Sequence, residues 1–382
     1  MTRTPLAVGA AFAAQGFGYA ALVTALPSLR ARTGLDDVGL SIVLLCIVVS
    51  AAVGSMLADV LAVRGGSRLA LRVGLIAEAC TLTGVAVGAG PAIIIPILIL
   101  HGVGLGLVDA ACNMQGSLAE RAHGTPLFGR FFASSTMGGI IATVVTSAAL
   151  TAGLMGQVPL VVAAAIYLAA GLIAVRWFDP ERAARVINDS SRKRSPLPRG
   201  AIIAVGMIVF ASFVIDASLA TWATVYAEDD LQVAAHLAPL CLGLYLGAVF
   251  VTRLVLDPLL RRFGRRRIAV APATIGAIGC ALMVLSQPVT LALVGIALTG
   301  VASGALTPIA FGHAGEILPE RSDEVIARVN LFNYAAALVG AVIPGIVAEV
   351  AALSLAFLLP AVVAIACLPL MRILNDRVVA TR

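Results

Sequence analysis

Charge is what this chain has least of. Asp, Glu, Lys and Arg make up 12% of the residues, about half the ~25% typical of a soluble domain. With 60% hydrophobic residues and a mean hydropathy of +1.03, a water-soluble fold has no means of hiding so much apolar surface. Lysine is all but absent. Lys193 stands in the basic run Arg192-Lys193-Arg194 without the glycines that cradle phosphate, so no P-loop is encoded and ATP is not the direct fuel. Neither H-E-x-x-H nor G-x-S-x-G occurs, and no other catalytic constellation assembles; an enzyme is not expected, nor a cofactor. The six cysteines (Cys46, Cys80, Cys112, Cys241, Cys280 and Cys367) all lie in apolar runs, and no two have metal-ligand spacing. Buried packing is expected of them, and no metal site. Two tryptophans and 5% aromatic residues leave little stacking surface for a sugar ring.

What is present instead is a series of apolar runs about 20 residues long, each enough to cross a hydrocarbon core of ~30 Å at 1.5 Å per residue. Twelve are expected as membrane-spanning helices: 6–27, 38–61, 69–89, 92–118, 131–154 and 158–177, then 201–226, 236–255, 268–285, 290–312, 329–351 and 353–371. Gly and Pro inside them do not argue against helices, because neighbouring helices satisfy the freed backbone groups. Arg3 followed by an apolar stretch has the outline of a secretory leader. It is too long for one, and eleven similar runs follow.

Alternating the spans from a cytoplasmic N-terminus puts 24 of the 26 Lys and Arg residues on the cytoplasmic side and only Arg30 and Arg32 on the other. This is the positive-inside pattern, and it accounts for the net charge of +6 without a nucleic-acid partner. It predicts a multi-pass protein of a bacterial cytoplasmic membrane with both termini inside. The polar stretch 179–200, with its basic run and three prolines, separates six spans (1–178) from six (201–382) and reads as a cytoplasmic linker.

The loops after the second and eighth spans carry one pattern, D-x4-R-x-G-x-R. Asp59, Arg64, Gly66 and Arg68 recur 198 residues later as Asp257, Arg262, Gly264 and Arg266. An internal repeat of this kind is expected of parallel transporter halves. On these residues the chain resembles the major facilitator superfamily, whose signature in the same two loops joins a carboxylate, a Gly turn and clustered arginines. It departs from that pattern in the extra residues after Asp59 and in Ser55, where glycine is common. The resemblance implies an all-α membrane fold of 12 helices in two pseudo-symmetric six-helix bundles. It also implies secondary active transport by alternating access, with Asp59, Arg64, Arg68, Asp257, Arg262 and Arg266 as gating latches. Plain helix-end charges are the competing role.

Charges at membrane depth are costly and face a cavity or a partner. Four groups qualify: Glu78 midway along the third span, His101 and Asp109 on the fourth, and Asp216 on the seventh. Asp109 and Asn113 are four apart, so they share a helix face behind Gly102, Gly104 and Gly106. The string Gly106-Leu107-Val108-Asp109-Ala110-Ala111-Cys112-Asn113 resembles the fourth span of fucose-permease-like and related bacterial permeases. There an acid four residues before an asparagine serves proton coupling and solute binding. A carboxyl group held in an apolar cavity exchanges its proton at a pH where a solvated one does not. Asp216 precedes Trp222 and Tyr226, an acid six residues before W-x3-Y, as in the same permeases; Thr221 stands where they usually carry a second acid. Asp109 and Asp216 are the candidate proton-coupling groups. For Trp222 and Tyr226 a place in the interfacial aromatic belt competes.

Candidate solute ligands are Gln15 and Tyr19 on the first span, Asn113, Trp222, Thr299 and Ser303, and Asn330, Asn333 and Tyr334 on the eleventh, with Thr307 on the same face as Ser303. His101 is expected as a packed histidine, and Glu78 has no assigned role. The partners implied are a small organic solute, protons and membrane lipid, with the chain acting as a monomer. Two alternatives stay open. One is a proton antiporter exporting drugs or metabolites, although the fifth span has Ser134-Ser135-Thr136-Met137-Gly138-Gly139 where exporters carry Gly-Pro. The other is a receptor or scaffold without flux.

Overall fold

A computed structural model describes residues 3–123, 127–172, 174–178, 197–263, 265–285, 287–318 and 322–374. In the first half α1 (Arg3–Thr24), α3 (Asp37–Gly65), α4 (Ser67–Val87), α5 (Pro91–His123), α6 (Phe128–Thr151) and α7 (Val158–Leu172) correspond to the first six expected spans. In the second, α8 (Arg199–Asp229), α9 (Pro239–Phe263), α10 (Arg265–Leu285), α11 (Val289–Ile317) and α12 (Ser322–Val350) correspond to the next five. The twelfth, Leu353–Ile373, is a composite of a 3₁₀ turn, α13 (Leu358–Cys367) and a second 3₁₀ turn. Eleven of these segments are long and apolar enough to cross a membrane among the described residues, and α7 is a shorter apolar helix. The sixth expected span thus divides into α7 and a 3₁₀ turn at Ala174–Trp177.

The sequence reading gave no place to α2 (Leu26–Thr33), which follows the first span. Its ends are built from local chemistry. Pro27 sits in the first turn, where a missing N–H costs nothing, and Gly34 closes the helix at φ 68° with its N–H on the Arg30 carbonyl. The two arginines that break the positive-inside pattern lie on this helix, and both find partners locally. Arg30 pairs with Asp37 at 2.9 Å. Arg32 donates to the carbonyls of Val85, Ala86 and Gly88, where α4 exposes unpaired acceptors and the negative end of its dipole.

Helices in lipid gain little from burying apolar side chains against each other, so small residues that let backbones approach do much of the packing. An added Cβ on Gly106 would meet the Ala51 backbone of α3, and one on Gly102 would meet Ile47 and Ser50. In the second half Gly304 lies against Val249 of α9, and Gly300 against Tyr245 and Ala248. Each of these five pairs of positions stands 198 residues apart, the offset of the loop motif. The repeat therefore extends from the loops into the helix crossings. Large apolar side chains are left for the outside: Val49, Val53, Met56, Val60 and Val63 form an exposed stripe along α3 at helical spacing, as lipid contact requires.

Two compact units result: Met1–Asp189 with Ala234–Gly243, and Ser190–Val233 with Leu244–Arg382. The segment Ala234–Gly243 was expected with the second bundle but packs in the first unit. There Ser147 Oγ donates to the His236 carbonyl at 2.6 Å, and Gly243 lies against Thr143 of α6. Most of the expected linker, 179–196, lies outside the described residues. Cys80 is exposed and Cys46 half-buried, which corrects the expectation that all six cysteines are packed inside; the other four are buried.

Candidate functional site

In the first unit the site is a two-helix junction. Gln15 on α1 donates its Nε2 to Asp109 Oδ1 on α5 at 2.8 Å, across 94 residues of sequence. Asp109 is exposed although it sits about midway along the 33-residue α5. That combination is unusual for a carboxyl group on an apolar helix. Asn113 turns its Nδ2 back to the Asp109 carbonyl at 3.0 Å. Tyr19, one turn beyond Gln15, is exposed. The position of α1 is fixed from behind. Gly16 lets the Ser135 backbone of α6 approach, and Gly18 takes the ring of Tyr167 from α7, whose hydroxyl reaches the Gln15 carbonyl at 3.4 Å.

The second unit holds its acid differently. Asp216 on α8 is half-buried, and its Oδ1 accepts two hydroxyls: Tyr245 from α9 in a short hydrogen bond, and Ser303 from α11 at 2.9 Å. Ser212 and Thr307 form a parallel link between α8 and α11 one turn away, at 2.8 Å. Hydrogen bonds to an ionised carboxylate are worth roughly twice neutral ones, so this cradle orders Asp216 strongly when it is charged.

The remaining expected ligands fall into two groups. Asn333 Nδ2 donates to Asn330 Oδ1 at 3.2 Å on α12, and Tyr334 beside them is 53% exposed, so these three form a polar face. Trp222 and Thr299, expected as solute ligands, are instead buried. Trp222 has no exposed surface and its indole N–H is spent on the Ala341 carbonyl at 2.9 Å; Thr299 is fully buried with its hydroxyl on Ile296. Both side chains face the interior, as does Tyr226, whose hydroxyl donates to the Met283 carbonyl and whose ring packs on Phe357. An interfacial-belt role for Trp222 and Tyr226 does not fit side chains sealed within a helix bundle.

Of the candidate latches, Asp59 and Arg64 are exposed on α3 and Arg68 is half-buried on α4, and no ion pair joins them among the described residues. The glycine of their motif has a backbone reason: Gly66 closes α3 at φ 87°, ψ 156°, a region open in practice to glycine alone. Arg262 stacks its guanidinium over Phe263 at 5.2 Å. The side chains of Asp257 and Arg266, and all of Gly264, lie outside the described residues.

Tyr245 escaped the sequence reading, as did the pairing of Glu78 with His101 at 3.0 Å. The 198-residue offset carries a signal for both. It sets Tyr245 against Ile47, Ser303 against Leu105, Asp109 against Thr307 and Glu78 against Gly276, which marks where the halves differ chemically.

Comparison with known proteins agrees with this architecture. The family model described as Major Facilitator Superfamily matches residues 202–381. An uncharacterized MFS-type transporter of Yersinia pestis is 25% identical over 351 residues, 91% of this chain and 89% of its own length. Membrane protein MosC of Rhizobium meliloti is 24% identical over 370 residues, covering 95% and 89%. Among solved structures, a mutant of the nucleoside transporter NupG superposes with a TM-score of 0.77 at 14% identity, over 97% of this chain and all of that one. A bacterial homolog of the human lysosomal transporter Spinster gives a TM-score of 0.66 at 14% identity, over 97% and 94%.

Proposed function

We propose that the chain, similar over its second half to the major facilitator superfamily model, is a transporter of that superfamily and moves a small polar organic solute by proton-coupled alternating access. Asp109 is the principal proton-coupling group and Asp216 the second. Gln15, Tyr19, Asn113 and Ser303, with the Asn330, Asn333 and Tyr334 face, supply the solute's hydrogen-bonding partners. The observation that carries this reading is the exposed carboxyl of Asp109 halfway along an apolar helix, steadied by Gln15 from another helix. An acid at that depth is expensive unless it is used. Its amide partner can serve either protonation state, since Gln15 donates to a carboxylate or accepts from a carboxylic acid by turning its side-chain amide.

The chain sits in a bacterial cytoplasmic membrane with both termini inside, on the strength of its charge distribution. The Asp59–Arg68 and Asp257–Arg266 loops act on that side as latches that make and break as access alternates.

Proteoliposomes with an imposed pH gradient test the reading once a thermal-stability screen of metabolites and antibiotics has found a solute. Symport is expected: solute accumulates with inward protons, and Asp109→Asn abolishes the proton-driven part while leaving solute exchange. Protons moving against the solute would establish an exporter. No flux with any stabilising solute would establish a receptor. Intact proton-driven uptake in the Asp109→Asn protein would remove Asp109 from the mechanism.

A further inference from the structure

Glu78 on α4 and His101 on α5 face each other inside the first unit, His101 Nδ1 standing 3.0 Å from Glu78 Oε2, with no exposure of either side chain. Glu78 Oε1 abuts Gly104, where any Cβ would collide with it. Their contact is not aligned as a hydrogen bond, and neither Glu78 Oε1 nor His101 Nε2 finds another partner among the described residues. An ionisable pair buried with unsatisfied atoms costs stability rather than supplying it.

Packing does not require the pair. At the 198-residue offset the same three places hold Gly276, Thr299 and Ala302. There the Ala302 methyl packs against Gly276, and the Thr299 hydroxyl is satisfied within its own helix. The crossing of α4 with α5 and that of α10 with α11 solve one packing problem, the first with a titratable pair and the second with small or locally satisfied side chains.

Whether both groups are ionised or both neutral, the pair carries no net charge, and the two forms differ by one proton moved between Nδ1 and Oε2. Losing that proton leaves a carboxylate beside a neutral imidazole, and that net charge is tolerable only when water or a counter-charge reaches it. Titratable groups towards the middle of the helices packed around the pair are Asp109 and Cys112 on α5, Tyr167 on α7, Cys46 on α3 and Tyr19 on α1. Glu120, Arg121 and His123 lie at the far end of α5, Asp37 at the start of α3 and Arg3 at the start of α1. Cys80 and Arg72 lie on α4 itself, and Arg68, Arg64 and Asp59 stand towards the α3–α4 turn.

We propose that Glu78 and His101 form a proton-binding site inside the first unit, separate from the Asp109 carboxyl, which holds one transferable proton and exchanges it when α4 and α5 admit water. This deepens the proton-coupled reading above, and its test needs neither a solute nor that reading. The full-length protein in lipid nanodiscs, without solute, is titrated from roughly pH 4 to pH 10, spanning the carboxyl and imidazole range, while infrared spectroscopy follows the protonated-carboxyl band. A titrating component is expected that is lost in Glu78→Gln, persists in Asp109→Asn, and shifts by at least about one pH unit, tenfold in proton affinity, in His101→Gln. The triple change E78G/H101T/G104A installs the second half's own residues. It is expected to fold, to melt no lower than the parent, and to lack the component. A band with no Glu78-dependent component anywhere in the range, or a midpoint unmoved in His101→Gln, would reduce the pair to static packing. Failure of Asp109→Asn to alter transport would leave this site standing, and the reverse also holds.

Discussion

The two units share a packing plan and invert its chemistry. Both bring the fourth span of their half against the second through a pair of glycines four residues apart, at positions 198 residues from each other. Glycines also bring neighbours onto the first spans, Gly138 against the Ala13 carbonyl and Gly340 against the Ala217 side chain and the Val214 carbonyl, at positions outside that offset. At the 198-residue offset Asp109 and Thr307 hold matching places, and Asp216 matches Gly18. The first unit has its amide on the first span and its acid on the fourth; the second has its acid on the first span and hydroxyls on the second and fourth. A duplicated scaffold thus carries its hydrogen-bonded acid on a different helix in each half, one exposed and singly held, the other half-buried and doubly held. Packing constrains the glycines that set interhelical distance, while the polar positions beside them are free to diverge.

The largest expected effect separates the two acids. Asp109→Asn should lower proton-driven transport by at least ~100-fold, the scale of losing a positioned proton-transfer group. Asp216→Asn should cost about 10-fold, or ~1.4 kcal/mol, because an amide oxygen still accepts from Tyr245 and Ser303. Equal losses in initial-rate measurements would mean that the two cradles do not distinguish their acids. Next comes the shared scaffold: Gly106→Ala and Gly304→Ala should each lower stability by ~1–3 kcal/mol through overpacking, read as a fall in melting temperature. Gly106 should suffer more, because its new methyl would press on the rigid Ala51 backbone, whereas at Gly304 it would meet the Thr252 side chain as well as the Val249 backbone. The smallest effect is a gain. Gly247 on α9 has open space where a Cβ would sit, so Gly247→Ala should raise stability by up to about 1 kcal/mol through helix propensity alone. A loss there would reveal a neighbour that the packing plan omits.

Much of the fold was legible because hydropathy is a local property and lipid makes it decisive. Runs 201–226 and 290–312 needed no tertiary information to be recognised as α8 and α11. The loop motif revealed the duplication, and the acids at depth stood out against an apolar background. Other features were hidden for physical reasons. The α2 helix is too short and polar for any hydropathy window, and only its Pro27 and Gly34 ends betray it. Trp222 looked like a ligand by analogy, but its rotation about α8 turns the indole into the bundle. Rotation of that kind depends on which neighbour offers a carbonyl, and no spacing rule supplies it.

By itself the sequence determined where the chain crosses the membrane, that it does so in two related halves, and that Glu78, His101, Asp109 and Asp216 lie at depth. Only the tertiary structure decided their company: Gln15 for Asp109, Tyr245 and Ser303 for Asp216, and each other for Glu78 and His101. Burial cost is summed along one helix and can be read residue by residue. A hydrogen bond joins atoms within about 3 Å on separate helices, so it waits on the close approach that Gly16, Gly102, Gly104 and Gly106 permit.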